Sequence, residues 1–139
     1  MAIYNLRDAS VVYNSVDLSN HVRSVKITMN ADDLDATAMG ALSHAHVPGL
    51  RDDTVEMEFF QDHASGSVDA TFSSLLGNSA GAVLVVKPTS GAVSATNPSF
   101  TVTAIVLDYS ALDGEVGELS MTSITLVPAP GSSIVRATA

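Results

Sequence analysis

Polar and apolar residues alternate one by one along much of this chain, the signature of strands with one covered and one wet face. From Ser24 to Asn30, Val25, Ile27 and Met29 share one side while Lys26, Thr28 and Asn30 share the other. From Asp53 to Gln61, Val55, Met57 and Phe59 oppose Thr54, Glu56 and Glu58. Ala82–Lys87, apolar through Val86 and closed by Pro88, predicts a strand covered on both faces. Two further long strands are expected over Ser99–Tyr109 and Leu119–Val127, joined by the acidic turn 113–118, with short ones over Ser10–Tyr13 and Val16–Leu18.

The period changes once. Val68, Phe72, Leu75 and Leu76 recur at helical spacing and predict one helix over Val68–Leu76 with a single apolar stripe for packing on a sheet. Ser67 stands at the N-cap position, Asp69 suits the positive end of the dipole, and Gly77 follows the last turn. Residues 91–98 read as a small-residue loop. Residues 128–139 read as a tail that either wanders or pairs with a partner.

The long interval 31–50 interrupts this pattern. It is acidic and without periodicity, and it lies between the arms of a hairpin, Val22–Asn30 and Asp53–Gln61. Connections of that length inside a small domain are uncommon and are usually functional or mobile. An overlong hairpin tip directs attention to assembly rather than catalysis.

At 139 residues and 46% hydrophobic, the chain is expected to fold as one domain, 1–139, with its own core. Acidic residues outnumber basic ones 15 to 6, for a formal charge of −9. That balance argues against a groove that grips phosphates, which needs Lys and Arg to neutralise them. With no cysteine, disulfides, thiolate metal sites and a cysteine nucleophile are excluded. The N-terminal ten residues lack the apolar core of a secretion signal, and the longest apolar run is too short for a membrane helix, so a soluble protein made in a cytoplasm is expected.

Candidate chemistry is sparse. Gly77–Gly81 spells G-x-S-x-G, but the hydrolase motif sits on a strand-to-helix turn, and here the helix comes first. Asn30, Asp32, Asp33 and Asp35 suggest calcium ligands, yet an EF-hand starting at Asp33 would need Gly and Glu where Ala38 and His44 stand. His44 and His46 share a face of an extended chain without an evident third ligand. Glu56 and Glu58 would share one environment, whereas acid–base pairs need theirs pushed apart. No enzyme, metal or cofactor is expected.

Taken in order, VDLSNHVRSVKI (16–27), DDLDATAMG (32–40), PGL (48–50), EMEFFQD (56–62), GSVDATF (66–72), VKPTSGAVSATNPSF (86–100) and the terminal VRATA resemble the tail tube (major tail) proteins of long-tailed bacteriophages. The resemblance implies a mainly β protein: a β-sandwich or small barrel with one flanking α-helix. It implies inner sheets that join into a continuous barrel in a hexameric ring, with rings stacked into a tube through which double-stranded DNA leaves the capsid. Carried onto this chain, it makes Lys26, Thr28, Glu56 and Glu58 lumen-facing. It makes Asp32, Asp33, Leu34, Asp35 and Met39 part of a loop meeting the next ring, and Val68, Phe72, Leu75 and Leu76 the outer helix packed on the sheet. The implied partners are further copies of the chain and the tape measure, distal and terminator proteins, and the implied location is the virion tail, assembled in the host cytoplasm. Lys26 sits awkwardly on a lumen wall unless Glu56 or Glu58 pairs with it across the hairpin. Two other readings remain: a tail-completion or head–tail joining protein, and a carbohydrate-binding sandwich, for which 5% aromatics and no Trp are a poor endowment.

Overall fold

A computed structural model describes residues 5–139; the first four residues, part of the stretch read above for a secretion signal, lie outside the described residues. The strands are β1 (Ser10–Tyr13), β2 (Val16–Asp17), β3 (Val22–Thr28), β4 (Ala31–Asp35), β5 (His46–Arg51) and β6 (Thr54–Phe60). After α1 (Val68–Leu75) come β7 (Ala82–Lys87), β8 (Ser99–Tyr109), β9 (Met121–Pro128) and β10 (Val135–Ala137). One antiparallel sheet runs β2-β1-β7-β8-β9-β6-β3, and β4 and β5 form a separate two-stranded sheet.

Both halves of the large sheet supply one core. Val11 and Tyr13 of β1 and Leu84 and Val86 of β7 meet Val55, Met57 and Phe59 of β6, with Ile124 and Leu126 of β9 between them. The alternation expected for β6 therefore holds. β7 differs from expectation. It is flanked in the sheet by β1 and β8, but only Leu84 and Val86 are buried, and Val83 is half exposed. The sheet covers both its edges, and the core covers one face.

α1 closes one end of the core through Val68 and Phe72, both fully buried. The Phe72 ring stacks on Tyr13 at 5.3 Å and meets Phe59 at 5.5 Å and Tyr109 at 6.2 Å. Burial of that one ring contributes about 2–3 kcal/mol. Leu75 packs at the margin of the core, whereas Leu76 lies past the last helical turn, half exposed, and bridges to Val106. The helical stripe is thus one residue shorter than the spacing suggested, because the backbone has already turned extended at Leu76. Ser67 is the N-cap without a capping bond; its hydroxyl donates to Asp62 at 2.8 Å.

Two segments read as irregular are strands. β4 and β5 pair antiparallel, Leu34 opposite Val47 and Asp35 opposite His46, so the interval 31–50 is a β-hairpin arm rather than a loop. The tail neither wanders nor waits for a partner. Ile134 is buried, and β10 pairs residues 99–101 at the start of β8, on the edge that β9 uses further along. β9 begins at Met121, two residues later than expected, and Leu119 is exposed.

Candidate functional site

Three features stand out on the folded chain: a polar wall, a protruding arm and the joint at its root. The wall is the solvent-facing side of four neighbouring strands, β8-β9-β6-β3. Register sets its pattern. Lys26 lies opposite Glu56, Ser24 opposite Glu58, and Thr28 opposite Thr54. On the other side of β6, Glu56 faces Thr125 and Glu58 faces Ser123, while Asp108 of β8 faces Thr125. A shallow concavity of about 280 Å³ runs over Ser24, Lys26, Glu56, Glu58, Ser123 and Thr125. The hairpin register thus permits the Lys26–Glu56 pairing, although the ion pair formed on this wall is Arg23–Glu58 at 3.8 Å, between two largely exposed side chains. Exposed pairs of this kind contribute little to stability. They lower the local charge without making a cationic well.

The arm stands clear of the core. Every residue of β4 is exposed, and of β5 only Gly49 is half covered, beneath the Leu34 side chain. Its two faces differ. On one, His46 Nδ1 contacts Asp33 at 2.8 Å and His44 Nδ1 lies 3.5 Å from Asp35. Asp35 also accepts from the Thr37 hydroxyl and Thr37 N–H, which hold its carboxyl below the ordinary range, with His44 assisting. On the other face lie Leu34, Val47 and Asp32, the last without an ion-pair partner among the described residues. Met39 and Leu42 at the tip are fully exposed.

The residues suggested for other chemistry do not converge. Among the described residues, no group of three or more His, Cys, Asp or Glu is placed to hold a metal. Ser79 is exposed on the loop from α1 to β7. Gly81 of the same motif has a structural reason: at φ +67, a Cβ there would lie 2.4 Å from the Ala104 carbonyl oxygen. No helix among the described residues is long and apolar enough to cross a membrane.

The joint at the arm's root centres on Asp53, which is 1% exposed. Arg51 donates to it from Nε at 3.1 Å and from an Nη at 2.7 Å. The Ile134 N–H donates at 3.0 Å and the Asn30 N–H at 3.2 Å. Burial pushes this carboxyl up, but the Ile134 N–H, Arg51 and the Asn30 N–H together hold it below its ordinary 3.8. One carboxylate therefore ties both strands of the arm to the approach to β10. Asp53→Ala leaves the Ile134 and Asn30 N–H groups unpartnered and reduces the Arg51 guanidinium to its bond with the Ile134 carbonyl, and the expected cost is about 3 kcal/mol at neutral pH. Because the folded pKa is depressed, this stability is present above about pH 4 and is lost as pH falls through the folded value. Denaturant titrations should show the difference between wild type and Asp53→Ala narrowing as pH falls below about 4. A difference independent of pH would assign the effect to packing.

The mainly β architecture, one large antiparallel sheet with one short helix, matches the tail-tube fold. No family model and no curated protein matches the sequence. Among solved structures, the chain superposes on a protein of the SPP1 tail tube with TM-score 0.75 and 11% identity, covering 99% of this chain and 80% of that one. A chain from the virion of a native gene transfer agent particle gives TM-score 0.72 and 13% identity over 96% of this chain and 99% of that one. A chain of the sheath–tube complex of an extracellular contractile injection system, PVC, gives 0.72 and 8% over 99% and 93%. At these identities the likeness is one of fold.

Proposed function

We propose that this protein is the structural subunit of a tail tube, forming stacked hexameric rings around a channel that conducts double-stranded DNA. The observation that carries the reading is the sheet order β9-β6-β3, adjacent strands whose Ser24, Lys26, Glu56, Glu58, Ser123 and Thr125 share one face beside a projecting hairpin, in a fold that superposes on the SPP1 tail tube. The outer edge of β3 has no strand partner among the described residues. An uncovered edge invites uncontrolled association, and a head-to-tail contact that closes on itself removes it. In this reading Lys26, Thr28, Glu56 and Glu58 line the lumen, and Asp32, Asp33, Leu34, Asp35 and Met39 reach towards the next ring. No side chain on the wall is assigned a catalytic role.

The partners are further copies of the chain, then a tape measure protein, a distal protein and a terminator. The site of action is the virion tail, assembled in the host cytoplasm. Among the structural neighbours, one comes from a sheath/tube terminator and another from a tube-terminating cap, which keeps a joining or completion role as the second reading. Electron microscopy of the concentrated protein separates them. Long hollow tubes are expected; single rings that never stack would favour the joining role, and monomers at every concentration would remove both.

A further inference from the structure

Two pieces of backbone far apart in the chain meet at residues 51–53. Asn30, between β3 and β4, gives its N–H to Asp53 and takes the Asp52 N–H on its carbonyl at 2.7 Å. Ile134, just before β10, gives its N–H to Asp53 and takes an Arg51 Nη on its carbonyl at 3.3 Å. Both residues are therefore held by N–H and by carbonyl, and all four bonds pass through the same short stretch. Displacing either one disturbs the partners of the other.

Burial makes that dependence costly to escape. Asp53 is buried, so a donor lost from its carboxylate is not replaced by bulk water. The two elements that it joins have little else to hold them. β10 is three residues long, with Val135 and Arg136 exposed, and it pairs only with 99–101. β4 is exposed throughout and β5 nearly so. Short exposed ladders of this kind open locally at a small fraction of the global unfolding free energy.

We propose that the root of the arm and β10 open and close as one unit, with the Asp53 carboxylate as the latch between them. Closed, β10 covers the backbone edge of β8 at 99–101. Open, that edge is bare, while β7 keeps the opposite edge paired at Thr101 and Phe100. A bare strand edge accepts an extended segment as an added strand. Whatever displaces the arm at its root thus exposes a pairing surface on another part of the sheet. The device belongs to the single chain and goes beyond the tube reading, on which it does not rest.

Amide exchange on the unassembled chain tests it from both sides, because a coupling between two sites acts equally on each. Arg136→Pro with Ala137→Pro weakens β10 and leaves Arg51, Asp53 and Ile134 in place. Neighbouring strand residues aim their N–H groups to opposite sides, so one of the two prolines removes a ladder donor. Exchange of the Asn30 and Asp52 amides should quicken about tenfold or more. Asp52→Pro removes a root bond that does not involve Ile134. It should quicken the protected amides of 99–101 and 135–137 by a similar factor. Amides in the middle of β6 should keep their rates in both variants. Faster exchange at 99–101 with Asn30 and Asp52 unchanged, in the double-proline variant, would overturn the latch and leave Asp53 a static brace. Equal acceleration in β6 would overturn it too, since the sheet would then be opening as a whole. Should a melt show Asp52→Pro unfolded, the double-proline variant decides alone.

Discussion

Excising residues 32–50 and joining Ala31 to Arg51 through an Asn-Gly turn should leave a folded protein that no longer builds long tubes. Ala31 and Arg51 are Cα partners in the ladder, so a two-residue turn can close there without disturbing what lies below. Asp53 keeps Arg51, Asn30 and Ile134, and no residue of the excised segment belongs to the core. Removal of exposed chain that touches nothing buried changes stability by about 0.5 kcal/mol or less, so the thermal midpoint should move by only about 2 °C. Assembly should respond on another scale. Loss of the arm's contact is expected to raise the concentration needed for polymerisation at least ~100-fold, equivalent to about 2.7 kcal/mol per contact. Sedimentation and negative-stain imaging would read this. Parent-like tubes from the excised protein would show that stacking uses another surface.

Replacing both Glu56 and Glu58 by lysine should let tubes form and should slow or block DNA ejection. The two carboxylates alternate with Val55, Met57 and Phe59, which are buried, so the substitutions cannot reach the core. The change moves the wall by four charge units per copy and deprives Arg23 of Glu58. Together with Lys26 on the neighbouring strand, it would turn a mixed surface into a cationic one. Each new cation adds a phosphate contact whose strength falls steeply with salt, so DNA retention should be strongest near about 50 mM salt and much weaker by about 200 mM. Ejection from virions carrying the variant, followed at both salts, gives the answer. Unchanged ejection with altered tube solubility would put this face on the outside.

The sheet was legible because its strands obey one rule, with inner residues alternating apolar along β6, β8 and β9. The arm was not, for a physical reason. β4 is Ala-Asp-Asp-Leu-Asp and β5 contains Pro48-Gly49, compositions poor in strand formers that face no core and so carry no alternation. They pair because two antiparallel strands need only a ladder and suitable cross-strand neighbours, such as Leu34 with Val47. β10 was hidden because three residues after a Pro-Gly turn are too few for a period to show. Asp53 is marked in the sequence by its place. It occupies the same alternation as Val55, Met57 and Phe59, so a charged residue stood in a core register, and such a residue needs several donors around it. The polar wall followed from the same alternation read on its other side.

The way the arm is rooted also has a mechanical meaning. Its two strands run directly into β3 and β6, with the Asp52 N–H bonded to the Asn30 carbonyl at the junction. A pull on the tip is therefore delivered along β3 and β6 rather than across them. Load in that direction draws β3 and β6 together and shears the ladder between β6 and β9, which yields only when many hydrogen bonds fail together, whereas a sideways tug would unzip them singly. The Asp53 clasp shares part of the strain with the chain leading to β10, itself laid against β8. Stretching the subunit by its arm would thus find the sheet in its stiffest direction, and bending the arm would spare the ladders and flex the short span between Thr28 and Ala31.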